Sequence, residues 1–164
     1  MTPPTPETPV PSTQKWAITF TVMVVAFMQI LDTSVTNVIL PHLQGSLSAG
    51  LDEVSWVITS YLAANAVVIP ATGWLAGLFG RKKFFLICTT LFVASSFLSG
   101  AAPDLTTLII ARILQGLGGG PIIPLSQAIL WEIFPFRQRG LAMAVWGVGF
   151  ILGPILGPTV GGYL

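Results

Sequence analysis

Charge is what this sequence has least of: 7 Lys and Arg and 6 Asp and Glu among 164 residues, or 8%. Soluble domains carry about 25%. So few charges cannot keep in water a chain that is 53% hydrophobic with a mean hydropathy of +0.83, so the chain is expected in lipid. The basic residues are scattered, which excludes the clustered patch that nucleic acid requires. One cysteine, Cys88, and one histidine, His42, leave no material for a disulfide framework or a thiolate metal site. Cys88 reads as a small buried apolar residue, and His42 as a surface residue just beyond a proline. Nucleotide loops are absent as well. GLGGGP at 116–121 departs from GxGxxG, and GLFGRKK at 77–83 lacks the Lys-Ser/Thr ending of a phosphate-binding loop. Gly45, Ser46 and Ser48 form no nucleophile elbow. Nothing in the pattern argues for an enzyme, a metal or a bound cofactor.

What the sequence has in abundance is long apolar runs. Residues 1–14 are an exception: with five prolines before residue 13 and no aliphatic run, they read as a solvated, disordered tail. A membrane span needs about 20 residues at 1.5 Å rise to cross about 30 Å of hydrocarbon. Runs of that length cover about 16–40 (closed by Pro41), 54–75, 84–102 (closed by Pro103–Asp104), 105–134 (closed by Pro135) and 140–164. Barrel strands would alternate with period two, and these runs do not. The expected fold class is all-α integral membrane, with five transmembrane helices and residues 15–164 as one partial transporter domain.

Lys15, Arg81, Lys82, Lys83, Arg137 and Arg139 all fall in segments on one side of that topology. The opposite loops hold Asp52, Glu53 and Asp104 and no base. The positive-inside rule then puts the N-terminus in the cytoplasm of a multi-pass inner or plasma membrane protein. Trp16, Trp56, Trp74 and Trp131 lie near span ends, as interfacial aromatics do, and Trp146 lies deeper.

Two ionisable residues fall well inside spans. Asp32 in the first and Arg112 in the fourth lie roughly 13 and 12 Å from the same face by helical rise, so they can meet. A charge at a helix centre costs about 2.5–3.5 kcal/mol on insertion scales, so each should face protein or water. Gln29, Asp32 and Thr36 share a helix stripe with Thr33 and Asn37 beside it, and Arg112, Gln115, Gly116 and Gly119 share another. Two readings stay open: a static ion pair that holds two helices together, or a site where Asp32 changes protonation while Arg112 governs its charge and contacts cargo. In the fifth run, Gly149, Gly153, Gly157 and Gly161 recur every four residues, with Gly162 beside them. That spacing lets another helix approach closely, while Pro154 and Pro158 each remove a backbone donor.

These motifs together resemble the fourteen-helix drug:proton antiporters of the major facilitator superfamily (the EmrB/QacA type). The resemblance covers nearly everything after residue 14. LDTSVTNVILP (31–41) looks like that family's first-helix motif, and EVSWVITSYLAANAVVIPATGWL (53–75) is similar to its second helix. GWLAGLFGRKK (73–83) looks like the cytoplasmic loop signature, keeping Gly73, Gly80, Arg81 and Lys82. It departs where the signature has an acid, here Gly77, and often a base, here Leu78. ARILQGLGGGPIIP (111–124) looks like the fourth-helix arginine motif, and the glycine ladder like the antiporter motif.

The resemblance implies proton-coupled multidrug efflux, powered by a proton gradient without a cofactor and acting on hydrophobic or cationic small molecules. Asp32 would couple to protons, with Arg112, Gln115, Gln29, Thr36 and Asn37 as charge-pair or substrate residues, and Gly153, Pro154 and Gly157 would form the outer gate's interface. It also implies two six-helix halves, of which these five helices are most of the first. By that reading the 164 residues are an inactive fragment whose partners are lipid and the missing C-terminal helices. The glycine face and the Asp32–Arg112 seam would then face lipid or empty space. Two alternatives stand beside it: a metabolite carrier of the same superfamily, and a non-transporting membrane assembly subunit.

Overall fold

In hydrocarbon every backbone N–H and C=O must find its partner within the protein, and a helix does so within one segment. The computed structural model describes residues 12–47 and 50–161, and among them the regular structure is helical throughout. Helix α1 spans Ser12–Leu47, α2 Leu51–Phe79 and α3 Arg81–Gly100. Then come α4 at Leu105–Gly119, α5 at Ile122–Ile133, a single 3₁₀ turn at Phe136–Gln138, and α6 at Arg139–Gly161. Five segments among the described residues are long and apolar enough to cross a membrane: Thr13–Val38, Asp52–Phe79, Arg81–Gly100, Leu105–Ile133 and Phe136–Thr159. The chain is a multi-pass membrane protein.

The helix ends differ from the sequence-based bounds in instructive ways. Residues 1–11 of the proline-rich tail, and Gly162 with the last residues of the fifth run, lie outside the described residues. Helix α1 already begins at Ser12 and continues through Pro41, and α2 and α6 likewise carry Pro70, Pro154 and Pro158 inside them. A proline costs one backbone bond, which a long membrane helix absorbs, so it is a poor stop signal here. The fourth run is divided at Gly120–Pro121 into α4 and α5. Gly120 and Pro121 keep right-handed helical backbone, and Pro121, which cannot donate, interrupts only the local ladder of bonds.

Other ends follow ordinary capping rules. Asp104 Oδ1 accepts from the Thr107 backbone N–H at 2.7 Å and Oδ2 from the Thr107 hydroxyl at 3.0 Å, closing the start of α4. The backbone bond first, and the hydroxyl second, hold the Asp104 carboxyl below the usual carboxylate range. Gly80 sits between α2 and α3 at φ 80°, a conformation that favours glycine and makes the turn of the loop signature. At Gly77 a Cβ would meet open space, so packing does not account for the missing acid.

The fourth span is the centre of the bundle: 61% of its most apolar stretch is buried, against 28% or less in the other four. Helix α4 is wedged between α2 and α3, where a Cβ at Gly116 would lie 2.6 Å from the Tyr61 carbonyl oxygen. At Gly118 it would lie 2.7 Å from the Phe92 nitrogen and 2.9 Å from the Cys88 carbonyl oxygen. Both contacts are with backbone, which cannot swing aside. The GLGGGP run is therefore a packing surface. Cys88, Phe92, Ile122, Leu125 and Leu130 build the apolar core around it.

The glycine ladder has its partner inside the chain, contrary to the expectation that it would face lipid or a void. Helix α6 lies along α1, with Gly149 against Met23, Gly153 against Ile30 and Gly157 against Ser34. Pro154 and Pro158 are exposed, and Pro154 borders an open space beside α1. The chain has enough helices to satisfy this face by itself, because the first and fifth spans are neighbours. Trp16, Trp56, Trp74 and Trp131 are 45–68% exposed, whereas Trp146 is buried at 7%. Gly118→Ala should lower the thermal unfolding midpoint in detergent by the equivalent of about 1–3 kcal/mol, the usual cost of overpacking. Gly147→Ala, whose Cβ meets nothing within 4 Å, should leave the midpoint unchanged; equal midpoints for the two would refute the wedge.

Candidate functional site: a buried ion pair beside an open cavity

Asp32 and Arg112 meet. Arg112 Nη1 donates to Asp32 Oδ2 at 3.0 Å, and Nη2 donates to the Thr36 hydroxyl oxygen at 2.6 Å. The Thr36 hydroxyl in turn donates to the Asp32 backbone carbonyl at 2.8 Å. One guanidinium thus binds two residues a helical turn apart on α1, the spacing that puts them on one face. Ser96, from α3, donates to Asp32 Oδ1 at 3.4 Å. The Arg112 side chain is 10% exposed and that of Asp32 19%. The pair is therefore enclosed by α1, α3 and α4 of this bundle alone, against the expectation that the seam would face lipid or empty space. A pair so enclosed is costly to break: leaving one charge without its partner costs about 3–5 kcal/mol.

The other expected site residues divide around the pair. Gln115, one turn further along α4, is fully buried and accepts from Ser99 at 3.3 Å, leaving its Nε2 without a partner. Gln29 is buried and its Oε1 is unpartnered. Asn37 is exposed and joins no bond to the pair; it lines two cavities instead. The smaller cavity, of about 150 Å³, is bounded by Arg112, Thr36, Thr33, Asn37 and Tyr61. The larger, of about 440 Å³, lies among α1, α2, α5 and α6 and shares Thr33, Asn37 and Tyr61 with it. Arg112 thus borders the smaller of two neighbouring, mainly apolar cavities that share Thr33, Asn37 and Tyr61.

Sequence reasoning passed over Ser96, Ser99, Tyr61 and Asn65. Each pair had a readable signal: Ser96 and Ser99 at i, i+3 in an apolar run, and Tyr61 and Asn65 at i, i+4. Among the described residues no three His, Cys, Asp or Glu side chains gather as a metal site would need.

At the other end of the bundle, Arg81 of the loop signature pairs with Glu132 at 2.8 Å, with both side chains at least half exposed. Such a pair adds about 0–1 kcal/mol. Arg139 donates through Nε to the Phe134 carbonyl oxygen at 3.1 Å and lies over the Trp131 ring. Trp16 meets Phe134 edge-on at 5.7 Å. These contacts bring the α2–α3 and α5–α6 junctions and the start of α1 to one end, where Lys82 is exposed. Six of the seven basic residues, dispersed along the sequence over three segments, are therefore brought to one end of the bundle, Arg112 being the exception.

The family profile described as Major Facilitator Superfamily matches residues 22–164. The chain belongs to the major facilitator superfamily. Within that superfamily it is 46% identical over 147 residues to the multidrug export protein EmrB of Haemophilus influenzae, covering 90% of this chain and 29% of that protein. It is 43% identical to the probable multidrug resistance protein EmrY of Escherichia coli strain K12, covering 98% and 32% respectively. The fatty acid resistance protein FarB of Neisseria gonorrhoeae is 43% identical, with coverage of 90% and 29%. This major facilitator chain spans about a third or less of the length of the curated relatives it matches.

The pair's worth is measurable by a double-mutant cycle. Arg112→Met should destabilise by about 3–5 kcal/mol, because it strands a carboxylate inside the bundle. Adding Asp32→Asn should recover most of that loss in chemical or thermal unfolding. Additive losses would mean that the two side chains do not depend on each other.

Proposed function

We propose that the whole protein is a proton-coupled antiporter that expels hydrophobic or cationic small molecules, and that these residues supply the proton-responsive part of its first half. The observation that carries this reading is the Asp32–Arg112 pair, enclosed in an apolar bundle and bordering an open recess. An ion pair in low dielectric is a strong electrostatic tie. Neutralising Asp32 removes one charge, leaves Arg112 uncompensated and alters the balance between arrangements of α1 and α4 that differ in how well they bury the cation. That is a physical means for one proton to bias two conformations. No cofactor enters this scheme; the energy comes from the proton gradient.

The relatives' names, multidrug export and fatty acid resistance, support export of apolar compounds. The grouping of Lys15, Arg81, Lys82, Lys83, Arg137 and Arg139 at one end supports a cytoplasmic N-terminus in the inner or plasma membrane. The apolar faces around the bundle, with Phe97 at 77% and Val67 at 73% exposure, suit lipid and further helices of the carrier. In the outer half, Gly153, Pro154 and Gly157 serve as the interface along which α6 meets its neighbours.

Asp32→Asn in the whole carrier should abolish protonophore-sensitive ethidium efflux from energised cells while membrane insertion stays at the wild-type level. Efflux with the wild-type pH dependence in that variant would remove Asp32 from the coupling and leave the static-pair reading.

A further inference from the structure

Asp32 has a different partner on each carboxylate oxygen. Oδ2 accepts from Arg112 Nη1 at 3.0 Å, and Oδ1 accepts from the Ser96 hydroxyl at 3.4 Å. The first is a charge-assisted bond of ordinary length; the second exceeds the roughly 2.5–3.0 Å of a well-formed hydroxyl bond. Oδ1 is therefore the oxygen with capacity left. Ser96 also differs from its neighbours. Thr89, Thr90 and Ser95 of α3 each donate back to the carbonyl four residues earlier, at Phe85, Leu86 and Leu91, as hydroxyls in apolar helices commonly do. Ser96 instead turns to a residue of another helix, although the Phe92 carbonyl stands at the same spacing behind it. It also borders a space of about 470 Å³ between α1 and α3 that neither Asp32 nor Arg112 lines. Arg112 of α4 is the charged group bonded to Asp32 among the described residues. Other titratable groups on the surrounding helices are engaged elsewhere or distant: Tyr61 of α2 accepts from Thr33, Glu132 of α5 pairs with Arg81, and Arg139 of α6 lies over Trp131. Asp104 caps α4 and Glu53 caps α2, with Asp52 beside it, while Cys88 of α3 lies about two turns from Ser96.

We infer that Ser96 is the residue that positions a proton on Asp32 Oδ1, reversing its hydrogen bond from donor to acceptor when the carboxylate is neutralised. This rests on the antiport reading above and names the group that governs its proton. A guanidinium only donates, so a proton placed on Oδ2 would meet N–H groups with nothing to accept it. A hydroxyl both donates and accepts. In the step, a proton from solvent forms an O–H bond at Oδ1 and the carboxylate loses its charge. The new O–H donates to Ser96 Oγ, and the Ser96 hydrogen rotates to the Phe92 carbonyl, the kind of bond its neighbours already make. No covalent bond of Ser96 breaks. The contact is long while Asp32 is charged and closes when it is neutral, as bonds that belong to another step of a cycle often do. Ser96 thereby favours the protonated carboxyl, whereas Arg112 favours the ionised one.

The test titrates Asp32 directly in the purified whole carrier, through the infrared band of its protonated carboxyl, identified as the band missing from Asp32→Asn. Removing an acceptor from the neutral form disfavours that form, so more acid is needed to reach it. Ser96→Ala should therefore move the midpoint of the band to lower pH by about half to one unit, the contribution of one neutral hydrogen bond. The band should also rise in frequency, because the carboxyl has lost its acceptor. Ser96→Thr keeps the hydroxyl and should restore both. Ser96 is only half-buried, so these variants should unfold as the wild type does. Where Ser96→Ala unfolds early, Ser96→Cys, of similar size but a weak acceptor, carries the same expectation. An unmoved midpoint, a midpoint raised instead, or a threonine variant that behaves as the alanine one would each overturn the assignment. Efflux is scored separately. A band that moves with Ser96 in a carrier whose transport ignores a protonophore would overturn the antiport reading and leave the Ser96 role standing. Protonophore-sensitive efflux with no titration of Asp32 would overturn the Ser96 role and leave antiport standing.

Discussion

Backbone contact between α4 and its neighbours governs most of what this bundle can do. The fourth span touches the backbones of α2 and α3 at Gly116 and Gly118, where no Cβ could fit. In lipid there is little hydrophobic drive to bring helices together, since the hydrocarbon outside is as apolar as leucine. Close approach multiplies dispersion contacts, and small residues are the way to obtain it. The approach also fixes depth and rotation. With the glycines turned toward α2 and α3, Arg112 and Gln115 on the same helix are carried into the interior with 9% and 0% exposure. The arginine is then held inside the bundle and finds its anion on another helix, Asp32 of α1, with the Thr36 hydroxyl beside it. Helix α1 is in turn aligned by the α6 ladder at Gly153 and Gly157. The ion pair is thus the consequence of two small-residue interfaces, one on each side of it.

Legibility from the sequence tracked the strength of the physical penalty. Asp32 and Arg112 stood out because a charge in hydrocarbon is expensive, and two charges at matched depth have an evident way to reduce that expense. The span count followed from the same constraint on backbone polarity. Pro41 misled, because the rule that prolines end helices is learned where water competes for the freed groups; it lies within α1, whereas Pro103 and Pro135 do fall between helices. Span four hid its interruption at Gly120–Pro121 inside an unbroken apolar run, since hydropathy is blind to a lost backbone bond. Helical neighbours were the least readable of all. The glycine ladder announced that some helix would lie against α6, but nothing in its spacing says that the helix is α1. Ser96, Tyr61 and Asn65 were missed because hydroxyls and amides are cheap enough in a span to occur without a role.

Under the antiport proposal, a proton at Asp32 and a cargo elsewhere in the site are coupled through the arrangement of helices, and linkage requires that coupling to be reciprocal: cargo alters proton affinity by the factor by which the proton alters cargo affinity. The geometry offers a short path for this. Gln29 and Thr33 lie on α1 with Asp32, and Thr33 reaches Tyr61, which lines both cavities. A small rotation of α1 that lengthens the Arg112–Thr36 bond also changes where the Gln29 amide points. Such a rotation is resisted on one side by the α6 ladder, whose glycines leave α1 little slack, and on the other by the guanidinium. Removing the charge of Asp32 loosens only the second restraint.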